Sequence, residues 1–245
     1  MGFWIALQFL TIVPSPFHRQ PEAKDIASAL VYFPIVGLLI GAVLFAANWG
    51  LAEILPQAAA GVLTLALWVF IGGAMHLDGL VDTCDGLTGD TAERRLKIMA
   101  DSHAGAYGIV SAIILLLVKY TAIVSLPEIW RLEAFLLVPM LGSWAMVLAV
   151  FAFPYARGKG GLGYYFKSGA GKYRFALATL LMLAASIVVL GWQGLAMAAV
   201  AFIIVMAIGW FFKSRLGGLT GDVYGATKEI TEALVFLLVP VVAVL

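Results

Sequence analysis

Three aspartates, Asp78, Asp82 and Asp85, fall at i, i+4 and i+7 in the run HLDGLVDTCDG. At 3.6 residues per turn, a helix carrying that spacing sets all three carboxylates within about 60° on one face. Like charges on one stripe repel and weaken the helix, and an apolar surrounding of low dielectric strengthens the repulsion. A cation compensates it. Magnesium takes oxygen ligands, keeps several waters, and binds one or two carboxylates together with the phosphates of a substrate. Asp78, Asp82 and Asp85 are therefore expected to hold Mg2+ beside a phosphorylated substrate. Calcium or manganese would suit the same oxygens. Zinc fits less well, because no Cys/His pair has ligand spacing. The plainer alternative is a solvated acidic helix end.

Further charged residues frame this stripe. Asp90 precedes Thr91-Ala92-Glu93, which reads as a capping box for a helix TAERRLKIMA, so Asp90 is expected to cap. Asp101 ends that helix, where the macrodipole disfavours an acid, and a metal or a loop arginine is its expected partner. His76 and His103 flank the region, either as hydrogen-bonding residues or as substrate contacts. The pentapeptide Gly86-Leu87-Thr88-Gly89-Asp90 recurs as Gly218-Leu219-Thr220-Gly221-Asp222. There Gly217, Gly218 and Gly221 permit close approach of the backbone to a ligand, and Asp222 adds a carboxylate. Lys228, Glu229 and Glu232 follow, at a depth where ionisable groups are paired or functional. The glycine-rich basic segment from Tyr155 to Gly169, with Arg157, Lys159 and Lys167, suits a phosphate clamp as well as it suits anionic lipid.

These residues must be positioned by membrane elements. Of 245 residues, 63% are apolar and 12% charged, against about 25% charged in a soluble domain. Apolar runs predict seven transmembrane helices, near 28–47, 58–75, 107–126, 133–153, 175–191, 195–212 and 229–245. The fifth and sixth are joined only by a turn near Gln193 and Gly194, a tight hairpin. The short apolar segment 2–13, stopped by Pro14 and Pro16, reads as an interfacial helix. MGFWIALQFLTIVP lacks a basic leader and a small-residue cleavage site, so it is expected to be mature protein and not a signal peptide. With the N-terminus in the cytoplasm, thirteen of the fifteen basic residues fall on that side, as the positive-inside rule requires. Arg131 is left outside, and Lys119 lies within the third span, to snorkel or to pair with an acid. The single Cys84 excludes an internal disulfide. The expected fold is all-α: one integral-membrane domain over 1–245, a polytopic bundle in the cell inner membrane with its site facing the cytoplasm.

Nearly the whole length resembles the cobalamin synthase family (adenosylcobinamide-GDP ribazoletransferases). The matching pieces are FLTIVPSP at 9–16, YFPIVGLLIG at 32–41, GGAMHLDGLVDTCDGL at 72–87, RLKIMADSHAGAYG at 95–108, YAR at 155–157 with GLG at 161–163, and GGLTGDVYGATKEITE at 217–232. The resemblance implies a magnesium-dependent enzyme that joins adenosylcobinamide-GDP to α-ribazole or its 5′-phosphate, giving adenosylcobalamin or its phosphate and GMP. It implies metal ligation by Asp78, Asp82 and Asp85, and catalytic or site-completing roles for Asp82, Asp101, Asp222, Glu229 and Glu232. Substrate contacts would come from Arg157, with His76, His103, Gly218 and Gly221 as further candidates. Membrane lipid is an expected partner, nucleic acid is not, and a homo-oligomer is compatible with the pattern. Two departures stand out: Ile12 and His103 occupy positions where similar chains often carry Arg.

Two rivals share some of these features. A CDP-alcohol phosphotransferase also spaces aspartates along membrane helices, but it wants Ala-Arg soon after its first Asp-Gly, where this chain has Leu80-Val81-Asp82. A secondary transporter would hold its ionisable groups near the bilayer midplane on broken helices.

Overall fold

The computed structural model describes residues 1–16 and 22–242. Arg19, counted above among the cytoplasmic basic residues, and the last three residues of the seventh expected span lie outside them. Among the described residues the structure is helical, apart from one isolated parallel bridge between Tyr155 and Leu219. The helices are α1 (Gly2–Leu10), α2 (Ala23–Ala29), α3 (Phe33–Ala52), α4 (Gln57–Ile71), α5 (Met75–Gly86), α6 (Ala92–Ile98), α7 (Ala106–Ser125), α8 (Arg131–Ala152), α9 (Gly161–Ser168), α10 (Lys172–Leu216) and α11 (Gly221–Val242).

Four helical segments are long and apolar enough to cross a membrane: Ala23–Ala52, Ala106–Ser125, Glu128–Ala152 and Lys172–Leu216. Counting α4 and α5 as one broken span makes five. The hub is α8, buried along almost its whole length between α3, α10 and α11. Close packing there depends on small residues. Gly37 and Gly41, four apart on α3, lie against the α8 backbone at Pro139 and Phe135, an approach that only small side chains permit.

Two breaks shape the apolar helices, the first a departure from an expected continuous span and the second the expected hairpin. The expected second span runs straight into the acidic motif, but the chain turns by 87° between α4 and α5. Gly73 (φ 59°) and Ala74 (φ 56°) take left-handed backbone at the corner. Such a conformation costs a non-glycine residue about 1–2 kcal/mol, so the packing around the corner must hold Ala74 there. The Ile12 amide donates to the Ile71 carbonyl at 2.8 Å, covering one of the exposed ends of α4. In α10, Leu190 and Gly191 leave helical geometry, with Gly191 at φ 61°. Gly194 then packs directly on the Ser186 backbone. Eight residues apart in a straight helix would be about 12 Å apart, so the chain folds back on itself as the sequence predicts.

A second polar tie joins three of the helices. Arg131 donates to Glu128 at 2.7 Å and to the buried Asn48 at 2.8 Å, and Asn48 donates to Thr64 at 3.0 Å. That chain of bonds joins α3, α4 and α8 away from the acidic motif.

Candidate functional site

The acidic motif forms α5, and α5 crosses α11 at two glycines. A Cβ on Gly79 would stand 2.9 Å from the Asp222 carbonyl, and one on Gly225 would stand 3.2 Å from His76 Cα. The first turn of α11 is fixed by Thr220, whose hydroxyl accepts the Val223 amide at 3.2 Å. Asp222 occupies that turn, where the helix dipole favours an acid. The loop after α8 is pinned to it by two backbone bonds: Ala156 N–H to Leu219 and Leu219 N–H to Pro154, both 2.8 Å. This pairing carries Arg157 to Asp222, and the guanidinium meets the carboxylate at 2.8 Å. A second guanidinium contact, to the Met99 carbonyl at 3.1 Å, ties the arginine to the end of α6.

A cavity of about 260 Å³ opens where these elements meet, bordered by Asp78, Asp222, Arg157, Tyr155, His76 and Gly221. Burial raises the Tyr155 phenol above its ordinary range, so it serves there as a neutral hydroxyl. Phe9, Phe33 and Phe166 close the apolar side of the same cavity. They form one aromatic cluster, with Phe9 stacked on Phe33 at 5.6 Å and Phe166 edge-on to Phe9 at 4.8 Å.

The aspartate stripe divides its labour. Asp78 is exposed and borders the cavity, and half-buried Asp82 lies in the field of Asp78, Asp222, Asp85 and Arg157. Asp85 is buried and turned the other way. Its two oxygens accept the Gly105 amide at 2.7 Å and the Gly108 amide at 2.8 Å, at the N-terminus of α7. The three carboxylates expected to ligate one ion together are therefore not gathered on it. Among the described residues no group of three or more His, Cys, Asp or Glu side chains is placed to hold a metal. What remains at the cavity, Asp78 with Asp82 and Asp222 close by, is a set of hard oxygen donors. Such a set fits Mg2+ only if other oxygens complete its shell.

Glu229 and Glu232 lie deeper and are differently engaged. Lys119 of α7 reaches both at 2.6 Å, while Lys228 meets Glu232 at 2.7 Å and Glu229 at 3.6 Å. The Lys119 ammonium also sits 4.5 Å above the Trp68 ring, a cation–π contact. Two positive and two negative side chains, all nearly enclosed, make a closed neutral lattice joining α7 to α11. The reading of Lys119 as pairing with an acid is the one the structure shows, and Lys228 is a partner as well. A chamber of about 20 Å³, roughly the room for one water, separates Lys119, Lys228 and Glu229 from His76.

Other expected residues fall elsewhere. Asp101 is exposed and outside the cavity, and the side chain that meets it is His103. The His103 ring and amide meet Asp101 Oδ1 at 2.7 and 3.0 Å, and those bonds hold the carboxyl below its usual range. Asp90 is not the cap of α6. Thr91 takes that place, accepting the Arg94 amide at 3.2 Å, and Asp90 accepts the Thr91 amide at 2.9 Å. Gly218 makes its close approach to the Pro154 carbonyl and not to open space, whereas Gly221 has free room and borders the cavity. Within the basic segment, Lys167 donates to the Val150 and Phe151 carbonyls at 2.8 and 3.1 Å, finishing α8. Sequence reading passed over Tyr155 and the three phenylalanines. Tyr155 sits inside the YAR triplet, but nothing in the spacing of Phe9, Phe33 and Phe166 signals that they meet.

Comparison with known proteins places this geometry in context. A family profile described as cobalamin-5-phosphate synthase matches residues 2–240. The adenosylcobinamide-GDP ribazoletransferase of Desulforamulus reducens is 40% identical over 236 residues, covering 96% of this chain and 94% of its own. The proteins of the same name from Desulfitobacterium hafniense and Pseudomonas fluorescens are 39% and 35% identical. They cover 96% and 97% of this chain, and 94% and 98% of their own lengths. No solved structure matches.

Proposed function

The chain belongs to the cobalamin-5-phosphate synthase family and is a transferase of that family, and from this premise we propose that it joins adenosylcobinamide-GDP to α-ribazole or α-ribazole 5′-phosphate. The ribose hydroxyl oxygen of the acceptor forms a bond to the cobinamide-linked phosphorus. The bond from that phosphorus to the bridging oxygen breaks, and the oxygen leaves with GMP. The hydroxyl proton passes to a base in the cavity. The single observation that carries this reading is the Asp222–Arg157 pair at 2.8 Å, set beside Asp78 on one nucleoside-sized cavity.

The residues have separable tasks in this scheme. Arg157 is a guanidinium fork suited to phosphate oxygens, held ready by a carboxylate it can exchange for substrate. Asp78 with Asp82 or Asp222 would hold Mg2+, with the diphosphate of the substrate supplying further oxygens. When bound, the ion neutralises the phosphate oxygens as charge moves to the leaving GMP. Asp85 supports the site by anchoring α5 to α7 rather than by ligation. Asp82 or Asp222 would orient the attacking hydroxyl and take its proton. Glu229 and Glu232, satisfied by two lysines, hold α11 in place.

The same proposal extends to placement in the membrane. Counting α10 as two spans, one for each arm, and adding α11 raises the five spans of the four apolar segments and the bent pair to seven. The N-terminus then lies in the cytoplasm, and the cavity faces the cytoplasmic side of the inner membrane. The function is tested with purified protein in nanodiscs given adenosylcobinamide-GDP and α-ribazole, with GMP as the readout. GMP is expected to form with Mg2+ and to stop on chelation. Absence of GMP with every divalent ion tried would overturn the assignment.

A further inference from the structure

The two ends of α9 are held very differently. Its C-terminal end is fixed. Lys167 donates to the Val150 and Phe151 carbonyls, Arg174 donates to the Gly169 carbonyl at 2.6 Å, and Gly169 lies directly against Ala27 of α2. Phe166 is buried there in the cluster with Phe9 and Phe33. The N-terminal end hangs on exposed glycines. A Cβ added to Gly158, Gly160 or Gly161 would meet nothing within 4 Å, and Gly160 (φ 121°) and Gly161 (φ 75°) take backbone that other residues avoid. Arg157 stands just before this stretch, anchored to Asp222 and to the Met99 carbonyl, so the loose linkage begins immediately after a fixed residue of the site. In the observed position the helix rests on Tyr155 and Gly221 through Gly163, which has no side chain to lock it.

The same helix stands between two spaces. Leu162 and Phe166, together with Phe9 and Met75, border both the 260 Å³ cavity and an adjoining chamber of about 290 Å³. Ile5, Gln8 and Ile26 line the rest of that chamber, which is apolar but for one amide. A site for a single drug-sized ligand takes ~300–1,000 Å³, and a direct displacement needs both reactants bound at once. The cavity beside Arg157 is too small for that as it stands.

We propose that α9 is a flap. Its root is 167–169, and the glycines of 158–161 absorb the change in backbone angles when its tip lifts. Leu162 then withdraws from the partition, and the charged cavity and the apolar chamber become one site. The inference rests on the transferase reading above. A ligand with a charged end and an apolar body lies across both spaces, its charges at Asp78, Asp222 and Arg157 and its body against Phe9, Met75 and Ile26. Closure of the tip over it excludes water from the reacting phosphate.

The test measures distances between paired spin labels by pulsed EPR, in full-length Cys84→Ser protein in nanodiscs. One label goes at Trp192, which the first arm of α10 carries about 27 Å from the root of the flap. The other goes at the tip, Leu162→Cys, or at the root, Ser168→Cys; all three positions are exposed. Without ligand the tip is expected to show two populated distances and the root one. Adenosylcobinamide-GDP is expected to draw the tip into a single distance. Gly161→Ala penalises only the closed backbone, since its Cβ meets nothing, and should shift the open-to-closed ratio about tenfold towards open. A single tip distance in both states, tip and root changing together, or a ratio that Gly161→Ala leaves unchanged would overturn the inference. So would tip proportions that adenosylcobinamide-GDP leaves unaltered in protein that releases GMP. Protein that releases no GMP fails the transferase reading instead. The ligand-free distances then decide the flap: two at the tip and one at the root uphold it, and any other pattern overturns it.

Discussion

Asp78 and Asp85, seven residues apart on one helix, have opposite surroundings, and their substitution should separate chemistry from stability. Asp85 accepts two backbone amides in a buried position, and bonds to a charged acceptor contribute about 1.5–3 kcal/mol each. Asp85→Ala is therefore expected to lower the melting temperature in detergent clearly, because it strips the N-terminus of α7 of its acceptors. Asp78→Asn should leave melting unchanged and cut GMP release by about 100-fold, the scale for removing one electrostatic group from a transition state. If Asp78→Asn instead melts early with its turnover intact, Asp78 belongs to the scaffold. The i, i+4, i+7 spacing places both residues on one helical face. It cannot show that the face is wide enough to serve two neighbours, since that depends on where α7 and α11 pack.

At the scale of elements, the lattice of Lys119, Lys228, Glu229 and Glu232 clamps α7 to α11 and so sets the crossing on which Asp222 depends. Removing one member of a buried pair costs about 3–5 kcal/mol, because the remaining charge is left without compensation. Lys119→Met, with two glutamates facing one lysine, should accumulate poorly and melt early. The double variant Lys119→Met with Glu232→Gln leaves Lys228 facing Glu229 and should melt above the single one, despite carrying one more substitution. A double variant no more stable than the single would show that charge balance is not what the lattice provides. Lys119 was visible in the sequence as a lone charge in an apolar run. Its partners lie 110 and 113 residues away, so pairing with a particular acid was beyond any local pattern.

At the scale of the molecule, the proposed topology puts the fold-back of α10 on the outer side and the carboxylate cavity on the cytoplasmic side. Trp192 is exposed beside that fold-back, and Lys213 lies near the opposite end of the same helix. In a Cys84→Ser background, a cysteine replacing Trp192 should react with a membrane-impermeant maleimide added outside spheroplasts. One replacing Lys213 should react only after the membrane is opened. The reverse pattern would invert the orientation and place the cavity outside.

The sequence alone determined the all-helical membrane class, the fold-back near Gly194, the matching family, and the residue types available for chemistry. Each of these is written in composition, in local periodicity, or in contiguous motifs. Tertiary structure decided the sharp corner at Gly73 and Ala74, the division of the aspartate stripe, and the joining of Arg157 to Asp222. It also decided the closed lattice around Lys119 and the aromatic side of the cavity. The physical reason is common to all five. A helix in an apolar setting shows which residues share its face, but a buried carboxylate takes whichever donor the packing delivers. Here close glycine contacts, at Gly79 and Gly225 above all, set α5 against α11, and the donors come from 20 residues away for Asp85 and from more than a hundred for Glu229 and Glu232.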